Sequence, residues 1–367
     1  LPRTINVRAG DIREAMAEPL NVIVEAVKRT LERTPPELAA DSVDRGITLA
    51  ANSTIQTDTG VVVNYTTAVS GIGGAFALTK LGPGLLRIDN TTNGLTGLIL
   101  GGSNAPSGML NGVTGGGGTI QSNALAGNVF VTSTGTVTLN TGTVSIGGAA
   151  ANVSVPNLLV GQSATTYGAG RILLAAGAKL SVTGTTFTRG GQGTLLIAPS
   201  SMAAFGGADQ FNISSTAAAL AINGTTNNTL STPFVLARTN SSDAFFVQQS
   251  AGVFSRATTG TTDTLSAVVS TSIGDVTGVQ ALTADASMFA LRTQANISGS
   301  TMNLGNGGLI LNGATAPDIS SNLNFGINGT TGLTEGIVFG DGNGGTLSGA
   351  IRAANFTKFG AGTLNIT

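Results

Sequence analysis

Three short stretches of the chain repeat one pattern of residue types: Leu78 to Ile88, Phe187 to Ile197 and Phe356 to Ile366. Each places an apolar residue and Thr before a single cation, which is Lys80, Arg189 or Lys358. Two glycines one residue apart follow (Gly82 and Gly84, Gly191 and Gly193, Gly360 and Gly362), and then a run whose alternate residues are aliphatic. Glycine permits the positive φ of a tight corner, and residues i and i+2 of a strand share a face. The pattern therefore predicts strand, turn and strand, with these six glycines at structural corners. So small a unit cannot bury its own apolar face and needs neighbours of its own kind.

Between the copies, short alternating pairs such as Val137/Leu139, Val144/Ile146, Leu180/Val182 and Leu309/Leu311 recur among Gly, Asn, Thr and Ser. The pairs at Val137 and Val144 have the spacing of adjacent sides of one coil, and three such sides give a coil of roughly 20 to 25 residues. The expected fold of residues 50–367 is mainly β, a right-handed parallel β-helix (β-solenoid), incomplete at its C-terminus. The three motifs resemble the autotransporter-associated β-strand repeat of bacterial surface proteins, whose passenger regions are parallel β-helices. That resemblance implies an extracellular or cell-surface stalk, fibre segment or adhesive scaffold. Convergence of a low-complexity sequence is the other source of such a pattern. An antiparallel sandwich is the architectural rival, because Asn-Gly hairpin signals occur at Asn93, Asn111, Asn223, Asn306, Asn312, Asn328 and Asn343.

Composition enters as a filter on chemistry. Only 10% of residues are charged, and 54 are glycine. Most of the surface must then be Thr, Ser, Asn and Gly, while a hydrophobic fraction of 41% separates the chain from disordered sequences. With no His and no Cys there is no Ser-His-Asp or Cys-His nucleophile system, no imidazole or thiolate metal site and no disulfide framework. Seventeen basic against 18 acidic residues create no field for a polyanion, so nucleic acid is not an expected partner. No uninterrupted apolar run is long enough for a membrane span. The partners implied are a second copy, end to end or side by side, and surface glycans or a neighbouring cell surface. No cofactor or metal is expected.

Residues 1–49 are a different kind of sequence. Seven of the basic and eight of the acidic residues fall at or before Arg45. Ile12, Met16, Leu20, Ile23, Val27 and Leu31 recur at helical spacing, and Thr34, Pro35 and Glu37 form a capping box for a further helix that Gly46 would stop. The segment resembles part of the MreB family of bacterial actin-like cytoskeletal ATPases. The resemblance is carried by Leu1-Pro2-Arg3, Arg13-Glu14-Ala15, Glu18-Pro19-Leu20, the run Thr34 to Asp41, and Asp44-Arg45-Gly46-Ile47. In that family the strand runs into a Gly-Gly-Gly turn around the nucleotide, whereas here Leu49 leads into Ala50-Ala51-Asn52-Ser53. The resemblance thus implies helices and no ATPase. Two roles are open to the segment: a cap over the open first rung of the β-structure, or a foreign piece joined by fusion, an inactive actin-like remnant.

A carbohydrate-active β-helix, a lyase or hydrolase, is the enzymatic alternative. The acids after the seam are Asp58, Asp89, Asp209, Asp243, Asp263, Asp275, Asp285, Asp318, Glu335 and Asp341, scattered without a repeating partner. Glycoside hydrolysis requires two carboxyl groups at a defined separation, and no such pair is legible. Gly340-Asp341-Gly342-Asn343-Gly344-Gly345 has one carboxylate where Ca²⁺ wants six to eight oxygens, and Thr114 to Thr119 lacks the Lys of a phosphate loop. No catalytic, cofactor or metal residue is assigned. The phenylalanines of residues 233–292 are expected to form a local core.

Overall fold

The computed structural model describes residues 47–65, 72–89, 93–101, 118–125, 127, 129–161, 168–184, 186–214, 229–240, 243–260, 263–326 and 332–367. The helices expected before Gly46 and most of the glycine run at 114–119 lie outside them. The chain divides into units Leu1–Thr48 and Leu49–Thr367, and the sheets among the described residues belong to the second.

Successive strands are dealt alternately to different sheets. Ser53–Gln56, Ala77–Leu81, Gly97–Leu100, Thr136–Leu139, Asn157–Val160 and Phe187–Arg189 form a six-stranded sheet, parallel throughout. The strands after each turn, from Val62–Tyr65 through Leu85–Ile88, Thr119–Ser122, Thr141–Ile146, Ala169–Leu174 and Thr194–Ala198, enter a second, 13-stranded sheet. Two more parallel sheets, of seven and five strands, hold residues 273–366.

Register explains the core. In the first sheet Leu78, Leu98, Val137, Leu158 and Phe187 stand opposite one another on adjacent strands, and all are buried. In the second, Leu86, Ile120, Val144, Ile172 and Ile197 do the same. A parallel ladder repeats every 4.8 Å or so, so one alternating pair per strand is enough to build a continuous apolar column.

One right-handed β-helix from residue 50 to 367 is corrected by this topology. The protein is mostly β, with several parallel sheets and one mixed sheet, and its described helical element is a single 3₁₀ turn at Leu265–Ala267. The parallel order stops at residues 229–256. There Val235–Ala237 pairs antiparallel with Phe245–Ser250, which pairs antiparallel with Val253–Arg256, which in turn meets Gln210–Ile213 antiparallel. Phe187, Phe211, Phe234 and Phe254 pack together there, contacting rings having centroids 5.1 to 6.5 Å apart.

The strands after residue 273 then lie against the outside of the earlier ones. Phe289, Ile310, Ile337, Phe339 and Phe359 share a core with Leu196 and Phe246. At Gly308 the two layers are so close that a Cβ would sit 2.7 Å from Pro233 and 2.8 Å from the Phe246 ring. In a single coil, residues 146 positions apart would be separated by about six rungs, roughly 30 Å. Arg189 and Glu335 have that sequence separation and are hydrogen-bonded.

Candidate functional site

The three repeat cations occupy inward-facing positions. Lys80 lies in the register column Ile55, Lys80, Leu100, Leu139, Val160, Arg189, so the first and second motif cations stand near the two ends of an aliphatic row. Lys80 is fully buried, and its Nζ donates to the carbonyls of Leu81 and Gly82, each at 2.8 Å. Burial pulls its pKa down to about 8. Arg189 Nε donates to Gly193 O at 2.6 Å, and Lys358 Nζ donates to Gly360 O at 2.7 Å. The amine of Lys358 is likewise pushed down by burial. Each cation therefore closes the glycine turn next to it, giving the corner carbonyls a donor where water is scarce.

The six corner glycines divide into two roles. Gly82, Gly191 and Gly360 take φ of +77°, +53° and +84°. Gly84, Gly193 and Gly362 stay outside the left-handed region, but a Cβ on them would lie 2.4 Å from Asp58 O, 2.3 Å from Val160 O and 2.6 Å from Gly344 N. The first glycine of each pair turns the chain, and the second lets it press on the backbone of the neighbouring strand-turn unit.

The second and third motif copies face each other. Arg189 holds Glu335 through two hydrogen bonds, of 2.5 and 2.9 Å, and the Thr357 hydroxyl donates to the same carboxylate. The guanidinium also lies 5.1 Å from the Phe234 ring centroid. Beside this pair is a cavity of about 130 Å³ walled by Gly168, Gln192 and Thr194 on one side and by Phe356, Lys358 and Phe359 on the other. The Thr194 hydroxyl is already spent on Gly168 O, at 3.2 Å.

Most of the other scattered acids serve the backbone. Asp209, fully buried, accepts from Gly177 N, Ser200 N and the Ser200 hydroxyl at 2.5 to 2.7 Å. Asp275 pairs with Arg292 at 2.7 Å, and Arg292 and Arg256 both lie over the Phe245 ring. Asp263 accepts from the N–H groups of Gly278 and Thr277, which with the Thr277 hydroxyl hold its pKa below the usual range. In the 340–345 turn the carboxylate of Asp341 is 3.0 Å from Arg238 and 1% exposed, and burial raises its pKa. No group of three potential metal-binding acids is found among the described residues, and no helix among them is long and apolar enough to cross a membrane. Sequence reasoning missed the inward cations, although Leu78 and Lys80 are two residues apart and so share a face. It missed Arg189–Glu335 as well.

A family model, MreB/Mbl protein, matches residues 1–71. The cell shape-determining protein Mbl of Bacillus subtilis (strain 168) is 49% identical over 55 residues, covering 15% of this chain and 16% of the relative. The cell shape-determining protein MreB of Escherichia coli (strain K12) is 42% identical over 55 residues with the same coverage, and that of Pasteurella multocida (strain Pm70) is 37% identical over 68 residues, covering 18% of this chain and 19% of the relative. The chain thus spans about one-sixth of the length of the first two relatives. No solved structure matches.

These findings correct the surface-protein reading. The family found is MreB/Mbl, where the repeat motifs suggested an autotransporter. The relatives are cell shape-determining proteins, so the extracellular stalk, fibre or adhesin and its cell-surface placement fall with that reading. The physical reason is visible in the corners. Cation, glycine pair and alternating aliphatics are what a buried parallel turn demands, and they carry no address. The match also runs past residue 49 into Ser53–Gln56 and Val62–Tyr65. There Asn52, which stands in place of a glycine turn, accepts a hydrogen bond from Ala77 N at 2.9 Å.

Proposed function

We propose that the chain acts in cell-shape determination through its opening MreB/Mbl-type segment, and that the sheets after it form a non-enzymatic body joined to it in one chain. The observation that carries this reading is the family match over residues 1–71. The non-enzymatic part is supported by the engagement of Asp209, Asp263, Asp275, Glu335 and Asp341 in bonds that hold turns and layers together. It is supported too by the use of the stretch where the family has a nucleotide turn: Asn52 accepts from Ala77 N, and Ser53–Gln56 pairs in parallel with Leu78–Leu81. The partner is a second copy of the chain. Nucleic acid is not, given the balanced charge.

The test is expression of the tagged chain in a rod-shaped bacterium, beside a version lacking residues 1–71. The expected result is altered cell width with the tag following the host MreB, both lost on deletion. Identical behaviour of the two versions contradicts the proposal. A calorimetric titration with ATP should show no binding.

A further inference from the structure

We infer that the outward face of the seven-stranded sheet carries a binding site for a pyranose sugar, in a pocket of about 130 Å³ lined by Thr301, Asn322, Asn324, Ala350 and Arg352. Strand alternation puts all five on one face, while Met302, Leu323, Phe325 and Ile351, their neighbours in sequence, pack against the core on the other. Three adjacent strands supply the pocket, because Met302 N donates to Asn322 O and Leu323 N to Ala350 O. A carboxamide ladder sets its polarity. Ser287, Asn303, Asn324 and Arg352 stand opposite one another on successive strands. Asn303 Nδ2 donates to Ser287 Oγ at 3.2 Å, and Asn324 Nδ2 donates to Asn303 Oδ1 at 2.9 Å. Both amides point the same way, and a further Asn would continue the ladder by donating to Asn324 Oδ1. Arg352 stands there instead. Among the described residues that oxygen accepts no hydrogen bond, although Asn324 is only 8% exposed. Asn322 is the complement: its Oδ1 accepts from Ala350 N at 3.1 Å, which leaves Nδ2 as a donor. Thr301 N donates to Asp285, and the Thr301 hydroxyl has no partner among the described residues.

An acceptor, an amide donor and a hydroxyl in one pocket suit a ligand whose groups each donate and accept, as adjacent hydroxyls do. A carboxylate only accepts, and would face Asn324 Oδ1 with nothing to give it. The Arg352 guanidinium adds N–H groups to the lining. The volume is close to the roughly 150 Å³ that holds a six-membered ring. Asn322, Ala350 and Arg352 are exposed, so the remainder of a sugar chain can extend into solvent. Ala350 is the one apolar residue of the lining, and without a ring to stack on the affinity should lie in the millimolar range. The site belongs to the sheet body and does not depend on the role of residues 1–71.

The experiment is ligand-observed NMR titration of the full chain with the methyl pyranosides of glucose, mannose and galactose, with cyclohexanol and with inorganic phosphate, repeated on Asn322→Asp and Thr301→Val. At least one glycoside should saturate in the millimolar range. Cyclohexanol, a ring of the same size with one hydroxyl, and phosphate should bind about tenfold more weakly or not at all. Asn322→Asp keeps the acceptor for Ala350 N and replaces only the donor, and Thr301→Val removes only the hydroxyl. Each should lose about three- to tenfold, the worth of one neutral hydrogen bond. Asn322 is exposed, so its variant tests the site even where Thr301→Val fails to fold. Saturation by none of the glycosides, equal binding of cyclohexanol, tighter binding of phosphate, or unchanged affinity in folded variants would each overturn the assignment.

Discussion

The corner after Lys80 and the corner after Arg189 carry the same residue pattern in different surroundings. Lys80 donates from its ammonium to Leu81 O and Gly82 O of its own turn, inside a core that excludes water. Arg189 reaches its turn with Nε alone and gives both terminal nitrogens to Glu335, 146 residues later. A lysine is a point charge and can close a corner. The planar fork of arginine can close a corner and hold a carboxylate in the same plane. The two corners thus differ in reach: the guanidinium of Arg189 ties its corner to a second layer of the protein.

The largest effect should come from breaking the shared part of the pattern. Gly82→Val combines a φ of +77° with a Cβ 2.3 Å from Thr57 O, and should cost about 3–5 kcal/mol in urea unfolding. Gly60 has a similar φ, +79°, with nothing within 4 Å, so Gly60→Ala isolates the backbone strain and should cost about 1–2 kcal/mol.

Next comes the buried amine of the first corner. Its pKa is about 8 in the folded protein, against roughly 10.4 in an unfolded chain. Between those values the unfolded chain holds a proton that the folded chain has released, so stability should climb with pH across the window. At about 1.4 kcal/mol per pKa unit the rise is about 3 kcal/mol at most. Lys80→Met should flatten the profile, and chemical denaturation from about pH 7 to 11 measures both.

The second corner should behave differently. Arg189 and Glu335 are 17% and 19% exposed, between the surface and buried limits. A double-mutant cycle with Arg189→Gln and Glu335→Gln should give a coupling of about 1–2 kcal/mol. The same cycle between Lys80→Gln and Glu335→Gln should give none. The smallest effect is expected at Asp263. Its depressed pKa, set by Gly278 N–H and Thr277, adds stability above its ordinary range that is lost as pH falls. Asp263→Asn should remove that part of the acid limb.

The strands of the motif copies were legible because alternation and glycine spacing are local: 77–88, 187–198 and 355–366 are strand, turn and strand as the residues demand. The break at 229–256 overlaps residues 233–292, where the sequence showed only a concentration of phenylalanines. Its antiparallel pairing turns on the polar run from Arg238 to Asp243, which lacks the two-residue Asn-Gly signal. The inward lysine contradicts the rule that charge stays wet, and only the corner carbonyls explain it. Side-by-side layers could not be read, because Arg189 and Glu335 are joined by shape and distance and by nothing in their local sequence.

Distance across that layer contact is the most direct test of a layered body. The chain has no Cys, so Gln192→Cys and Asn355→Cys can be spin-labelled without background and their separation measured by pulsed electron resonance. Gln192 and Phe356 line one cavity, and a distance under about 20 Å, label arms included, is predicted from that contact and an ordinary strand rise. A single continuous coil would put about seven rungs between the two positions, roughly 35 Å, and that result would contradict the layered arrangement.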